Sequence, residues 1–354
     1  MTRRAPPRTI ARRLLALTAL AMLPSLARAQ AEQPPGLHWE SMAFDQARGR
    51  LFLFGGVGRD GVYLSETWQW DGTRWSTLVD SASSPGPRSG HAMAYDAARS
   101  RVILFGGTLA ERDTPLGPVK STIRFCDTWA LKGTTWTRID RGACVIDGVV
   151  ATSIVDRGTR GGLLLVEEPP RPAAGDSLTR LRLWRWADTT WALVDSSGPH
   201  PWRGRTGVAF DAARSVLVVP VLGGPDAGVW EWDGARWRHV RVAGPPIRES
   251  YALSYDSRRK QVALVGGVVP ASNQMQVGIH QWPTDHWTWD GSTWTEMPSN
   301  VMVQPTGRAF ATLLDDPRGG RLLYVGGINM RGVPRTLWFF DRDGWRGWSP
   351  APER

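Results

Sequence analysis

The chain has 354 residues, a formal charge of +10, two cysteines, and an excess of tryptophan (20) and glycine (39) beside 26 prolines. Its apolar content is that of a globular protein, which excludes bulk disorder, and its length suits one large domain or two ordinary ones. The composition points to many short strands, tight turns and large flat side chains packed between sheets.

Residues 1–29 read as a secretory signal peptide: MTRRAPPRTIARR is basic, LLALTALAMLPSLA is apolar, and ARA supplies small residues before a cut. The apolar run is short for a membrane span. This segment carries six arginines and no acid, so its removal lowers the formal charge from +10 to +4. That weakens any nucleic-acid reading. A secreted or periplasmic monomer without a stable membrane span is expected. Cys126 and Cys144, 18 residues apart, are compatible with one disulfide in an exported protein or with two free thiols. Spacing alone does not decide between them.

Residues 30–35 form a short leader, and from there one unit repeats six times through 36–349, before a tail at 350–354. The blades run over about 36–80, 81–140, 141–195, 196–241, 242–298 and 299–349. Each begins with an apolar strand ending in aspartate: Asp45, Asp96, Asp156, Asp211, Asp256 and Asp315. A basic turn follows, then an apolar run closing on a glycine pair: Gly55-Gly56, Gly106-Gly107, Gly223-Gly224, Gly266-Gly267 and Gly326-Gly327. The third copy has Glu167-Glu168 instead. After a loop of variable length comes a tryptophan phrase such as ETWQWDGTRW or DHWTWDGSTW. Its strand-three members are Trp68, Trp129, Trp230, Trp287 and Trp338, and its strand-four members are Trp75, Trp136, Trp191, Trp237, Trp294 and Trp345. Asp-Gly between aromatic runs is a hairpin signal. Four strands per unit at a period of about 50 residues predict an all-β, six-bladed propeller of four-stranded antiparallel sheets.

These features resemble the kelch-repeat family, whose propeller also forms the central domain of galactose oxidase. The glycine pair, the aromatic of the third strand, the tryptophan of the fourth and PRSGH at the entry to the second copy carry the resemblance. Galactose oxidase implies a copper-radical site with a cysteine-linked tyrosine. Neither Cys126 nor Cys144 lies in a segment that matches it, so no cofactor is expected. The DG-x-x-W phrase also partly resembles the structural Asp-box turn of sialidases.

A residue demanded once per blade packs blades together, so the repeated tryptophans and glycines read as structural. The aspartates Asp45, Asp96, Asp211 and Asp256 read as caps of the following turn. Trp202 and Trp282 fall outside the repeat and are candidates for stacking on a ligand. Loops from second to third strand vary most, with long insertions in blades two and five, and mark the face where function resides. Arg88, Arg203 and Arg248 enter that face at matching positions, where they either line a basic mouth for an anionic group or each pair with a local acid, such as Glu249, or with loop carbonyls. His91 aligns by count with Glu40, Thr206, Tyr251 and Phe310. His280 and His286 flank Asp285, but no tight ligand spacing supports a metal.

The function expected first is an exported binding module for a protein, glycan or small anionic ligand. The alternatives are a sugar-acting enzyme, with Glu40, His91 and Glu249 as groups to carry protons, and a purely structural surface domain.

Overall fold

In the computed structural model the described residues are 34, 37–38, 40–58, 60–79, 84–112, 119–140, 144, 146, 151–168, 180–200, 207–269, 282–298, 305–329, 331–332 and 336–348. The expected signal peptide, Arg203, Trp202, Thr206 and His280 lie outside them. The chain divides into Met1–Gln30, outside the described residues, and Ala31–Arg354, which carries all the structure below. No helix among the described residues is long and apolar enough to cross a membrane.

Six antiparallel four-stranded sheets follow one another along the chain, each built from one contiguous segment. The first comprises Ser41–Asp45, Arg50–Phe54, Thr67–Trp70 and Trp75–Val79. The last comprises Ala309–Asp316, Arg321–Ile328, Leu337–Asp341 and Gly344–Trp348. Second strands such as Leu163–Glu168 are buried along their whole length, because a neighbouring blade covers each face. First strands carry small residues, among them Ala43, Ala92, Ala94, Ala209 and Ala252, where the blades taper toward the axis.

Each seam between blades holds one apolar cluster. Blades one and two share Phe52, Phe54, Leu104 and Trp136, and blades two and three share Ile103, Phe105, Trp184 and Trp191. The ring closes the same way. Trp70 and Trp75 of blade one pack with Leu323, Leu337 and Phe339 of blade six, and among the described residues no strand crosses that seam. Strand-four indoles are pinned to the preceding blade: Trp136 Nε1 donates to Thr67 Oγ1 at 2.9 Å, Trp191 Nε1 to Thr128 Oγ1 at 3.1 Å, and Trp237 Nε1 to Asp195 Oδ1 at 2.8 Å. Trp75, Trp136, Trp191 and Trp345 are buried, and Trp237 and Trp294 are half-buried.

Several local expectations shift. The Asp-Gly turns are four-residue loops: Trp70 pairs with Trp75, and Asp71 Oδ1 accepts from the backbone N–H groups of Thr73 and Arg74 at 2.9 and 3.0 Å. Most of the blade-two insertion is β-ribbon, as Arg101–Arg112 and Val119–Lys132 extend past the sheet. Glycine pairs do serve close approach, since a Cβ on Gly55 would lie 2.6 Å from the Arg88 carbonyl and one on Gly107 2.9 Å from His91 Cβ. Blade four, however, lacks the pair. Asp211 pairs with Val216 as Asp45 pairs with Arg50, and counting on from there puts Val221-Leu222 at the glycine position. Gly223-Gly224 come two residues late. Cys126 and Cys144 are joined in a disulfide.

Candidate functional site

Arg88 and Arg248 are paired within the fold and do not line an open mouth, while Arg203, the third member of the expected set, lies outside the described residues. Arg88 is buried, and its Nη1 and Nη2 donate to Asp127 at 2.6 and 3.2 Å and to the carbonyls of Gly106 and Pro85 at 3.0 and 2.5 Å. Trp129 Nε1 donates to the same carboxylate at 2.7 Å. Blade five repeats the arrangement: Arg248 grips Asp285 at 2.5 and 2.7 Å, and Trp287 Nε1 completes it at 2.6 Å. Burial disfavours the Asp285 charge, but the Arg248 and Trp287 donors outweigh it and hold its pKa below the usual carboxylate value. A buried guanidinium needs such a partner. These arginines are blade-entry locks, with no donor turned to a ligand.

The other candidates separate. Glu40 is buried beside the axis. His91 is fully buried, packed edge-on against Phe54 between blades one and two, so it is a wedge in a seam. Glu249 is half-buried and holds a backbone bridge to Val268. Trp282 is half-buried, with its carbonyl against Gly307. His286 is buried against Phe340 and Trp345, and burial pushes its pKa down to about 3, so it is neutral and apolar in role. Asp285 is committed to Arg248, which removes the only acid between His280 and His286.

Along the axis the structure places two cavities. The narrower, of about 170 Å³, lies at the strand-entry end, lined among others by Glu40, Ser41, Ser153, Ser250 and Tyr251. The wider, of about 430 Å³, opens at the end of the first turns. Met42, Met93, Ile154, Val208, Leu253 and Leu313, one per blade, border both and form an apolar waist.

The next layer beyond the waist is the informative one. Phe44 pairs with Leu51, Tyr95 with Val102, Asp156 with Leu163, Phe210 with Leu217, Tyr255 with Val262 and Asp315 with Leu322. These are equivalent positions, and all six line the wider cavity. The series runs Phe, Tyr, Asp, Phe, Tyr, Asp. In a ring of six, blades three and six stand opposite each other, so two carboxyl groups face the channel from opposite sides with four aromatic rings between them.

The sequence analysis misplaced both acids by one position. In blade six the turn cap is Asp316, which accepts from Gly319 N–H and Arg321 Nε at 2.9 Å each. Asp45, Asp96, Asp211 and Asp256 do cap their turns. The same offset makes Ala311, and not Phe310, the counterpart of His91: a Cβ on Gly327 would meet Ala311 Cβ as one on Gly107 meets His91 Cβ. A signal was present in the spacing. Asp156 and Asp315 precede the first core residue of the next strand, Leu163 and Leu322, by one residue more than the other aspartates do.

Both carboxyl groups lean on the preceding blade. Asp156 accepts from the N–H groups of Ala97 and Gly158 at 3.1 and 2.9 Å. Asp315 Oδ1 accepts from Ser257 N–H and Oγ at 3.2 and 3.0 Å. Burial, with Asp256 and Asp316 nearby, pushes Asp315 up to about 6 against those bonds. Burial, with Asp96 adding to it, also raises Asp156. A carboxyl that titrates near neutrality can donate a proton in one step and accept one in another.

No family model matches the chain, the kelch family expected from the repeat included. Among curated proteins, Host cell factor of Drosophila melanogaster is 35% identical over 72 residues, 19% of this chain and 5% of that protein, so the chain spans a small fraction of that relative's length. Among solved structures, that of YjhT superposes with a TM-score of 0.61 at 15% identity, covering 90% of this chain and 99% of that one. At such identity the likeness concerns architecture: the chain is an all-β propeller of six four-stranded antiparallel blades.

Proposed function

We propose that the protein acts on a small carbohydrate-like ligand in the wide half of its axial channel, with Asp315 and Asp156 as the acid–base pair. The observation that carries this reading is the pair of carboxyl groups on opposite blades, set among aromatic rings at one register. Carboxylates accept sugar hydroxyls, aromatic faces cover sugar C–H surfaces, and the cavity of about 430 Å³ suits a small ligand. Asp315, pushed up to about 6, is the proton donor near neutrality and Asp156 the opposing acceptor. The reaction class is proton transfer at a sugar: isomerisation, epimerisation or hydrolysis. Export to an extracytoplasmic space accords with the N-terminal pattern and with the Cys126–Cys144 bridge.

The test is a screen of the mature chain against neutral and acidic mono- and disaccharides, with conversion followed by NMR. Turnover is expected for at least one sugar, with loss of at least about 100-fold in Asp315→Asn and Asp156→Asn. Saturable binding without turnover, lost in both variants, would favour a binding module. Turnover or binding unchanged in both would remove the channel reading. A surface for a macromolecular partner is the second reading. It is favoured by the blade-two ribbon, where Val119 and Ile123 are 47% and 39% exposed.

A further inference from the structure

Blade six carries the same entry arginine as blades two and five, without its acid. Arg308 is 1% exposed, and its Nη1 donates to the carbonyls of Gly326 and Thr336 at 3.1 Å each. The Gly326 bond repeats those of Arg88 to Gly106 and Arg248 to Gly266, so the three guanidinium groups are equivalent. The acid of the sister blades stands two residues before the strand-three tryptophan, as Asp127 before Trp129 and Asp285 before Trp287. Two residues before Trp338 stands Thr336. Trp338 Nε1, whose counterparts bond the acid, is buried and meets no acceptor. The same holds for Arg308 Nε, whose counterparts in the sister blades bond the carbonyls of Gly86 and Pro246. Blade three shows how readily another group fills this role: Glu167, from the second strand, accepts from Trp184 Nε1 at 2.7 Å and pairs with Arg182.

We propose that Arg308 and Trp338 form a socket for the carboxylate of a small ligand, which takes the place that Asp127 and Asp285 fill in blades two and five. The guanidinium and the indole N–H are donors of the kinds that bind a carboxylate in the two complete blades, with Arg308 Nη1 shared with the Thr336 carbonyl. Thr336 is half-buried, so the socket opens at the rim. Glu40, across the seam to blade one, and the Tyr324 ring, 5.4 Å from the guanidinium carbon, are the other groups that face Arg308. The inference does not depend on the channel site, because its donors lie outside the wide cavity.

The probe is sodium formate, with acetate as the larger analogue and sodium chloride at equal ionic strength as control. Thermal unfolding of the mature protein is expected to shift upward and saturate with formate but not with chloride, because only a ligand of the folded state stabilises by mass action. Thr336→Asp completes the lock in cis. It should raise Tm by about 3 °C and abolish the formate response, while Thr336→Ser should retain the response. Titration of ¹³C-formate followed by its line width should show saturable broadening in the wild type and none in Arg308→Lys. Equal responses to formate and chloride, or formate broadening that survives in Arg308→Lys, would overturn the proposal. So would a Thr336→Asp chain that folds without added stability.

Discussion

Two titratable side chains, half-buried Asp315 and buried His286, set opposing pH responses. Asp315 has a folded pKa raised from 3.8 to about 6, so its contribution is fully present when it is protonated and is lost as pH rises from about 4 to about 6, to a total of about 3 kcal/mol. His286 is depressed from 6.5 to about 3, so stability falls as pH drops below 6.5, by about 1.4 kcal/mol per unit. Between pH 4 and 6 the two slopes offset one another in the wild type. Asp315→Asn should therefore show a steeper loss of Tm on acidification through that window. His286→Phe should show the reverse, with Tm rising as pH falls from 6 to 4. Parallel pH profiles for both variants and the wild type would contradict these assignments. At this scale the sequence was legible only for residues bound to the repeat. Trp136 and Trp191 could be read because six copies demand them, and the turn-capping Asp256 because five do. Asp156 and Asp315 were missed because a strand-end aspartate resembles a turn cap unless the one extra residue before Leu163 and Leu322 is counted. Arg88 and Arg248 were misread because their partners, Asp127 and Asp285, lie 39 and 37 residues away.

At the scale of the blade, the entry arginine, the strand-three acid and the strand-three tryptophan act as one unit. Removing one member of a buried ion pair leaves the other charge uncompensated, at a cost of about 3–5 kcal/mol. Asp127→Asn and Asp285→Asn are each expected to destabilise by that amount in denaturant titrations. Trp136→Phe, which loses one hydrogen bond to Thr67 and some contact area, should cost less, about 1–2 kcal/mol. Near-neutral Asp127→Asn would show that the lock carries no weight. The disulfide ties the third strand of blade two to the chain leading toward blade three, closing a loop over a separation of 18 residues. Replacing both cysteines by serine should cost about 3 kcal/mol if the bridge acts by restricting the unfolded chain. Strand count, hairpin positions and the worn third copy were readable from turn chemistry and apolar runs. The blade-four glycines were not, because VLGG satisfies the pattern while the strand register sets it two residues late.

For the whole molecule, the ring closes by packing, with Trp70, Trp75, Leu337 and Phe339 sealing the seam between the first and last blades. In the layer beyond the waist the residues follow a three-blade period, so like side chains stand opposite one another across the channel: Phe44 and Phe210, Tyr95 and Tyr255, Asp156 and Asp315. Blades two and five also share the arginine lock, and blades three and six share an aspartate one position before the turn-cap position. The architecture could be inferred from the repeat, but the channel lining was missed, since a one-residue difference ahead of the second strand in blades three and six decides which side chain of the first strand lines the axis. Carboxyl ¹³C NMR of aspartate-labelled protein, titrated with pH and then with the saccharide panel, addresses the channel site most directly. The prediction is an Asp315 midpoint near 6, with saturable shifts of the Asp315 and Asp156 resonances on addition of at least one sugar. An Asp315 midpoint near the ordinary 3.8, with both resonances unmoved across the panel, would contradict it.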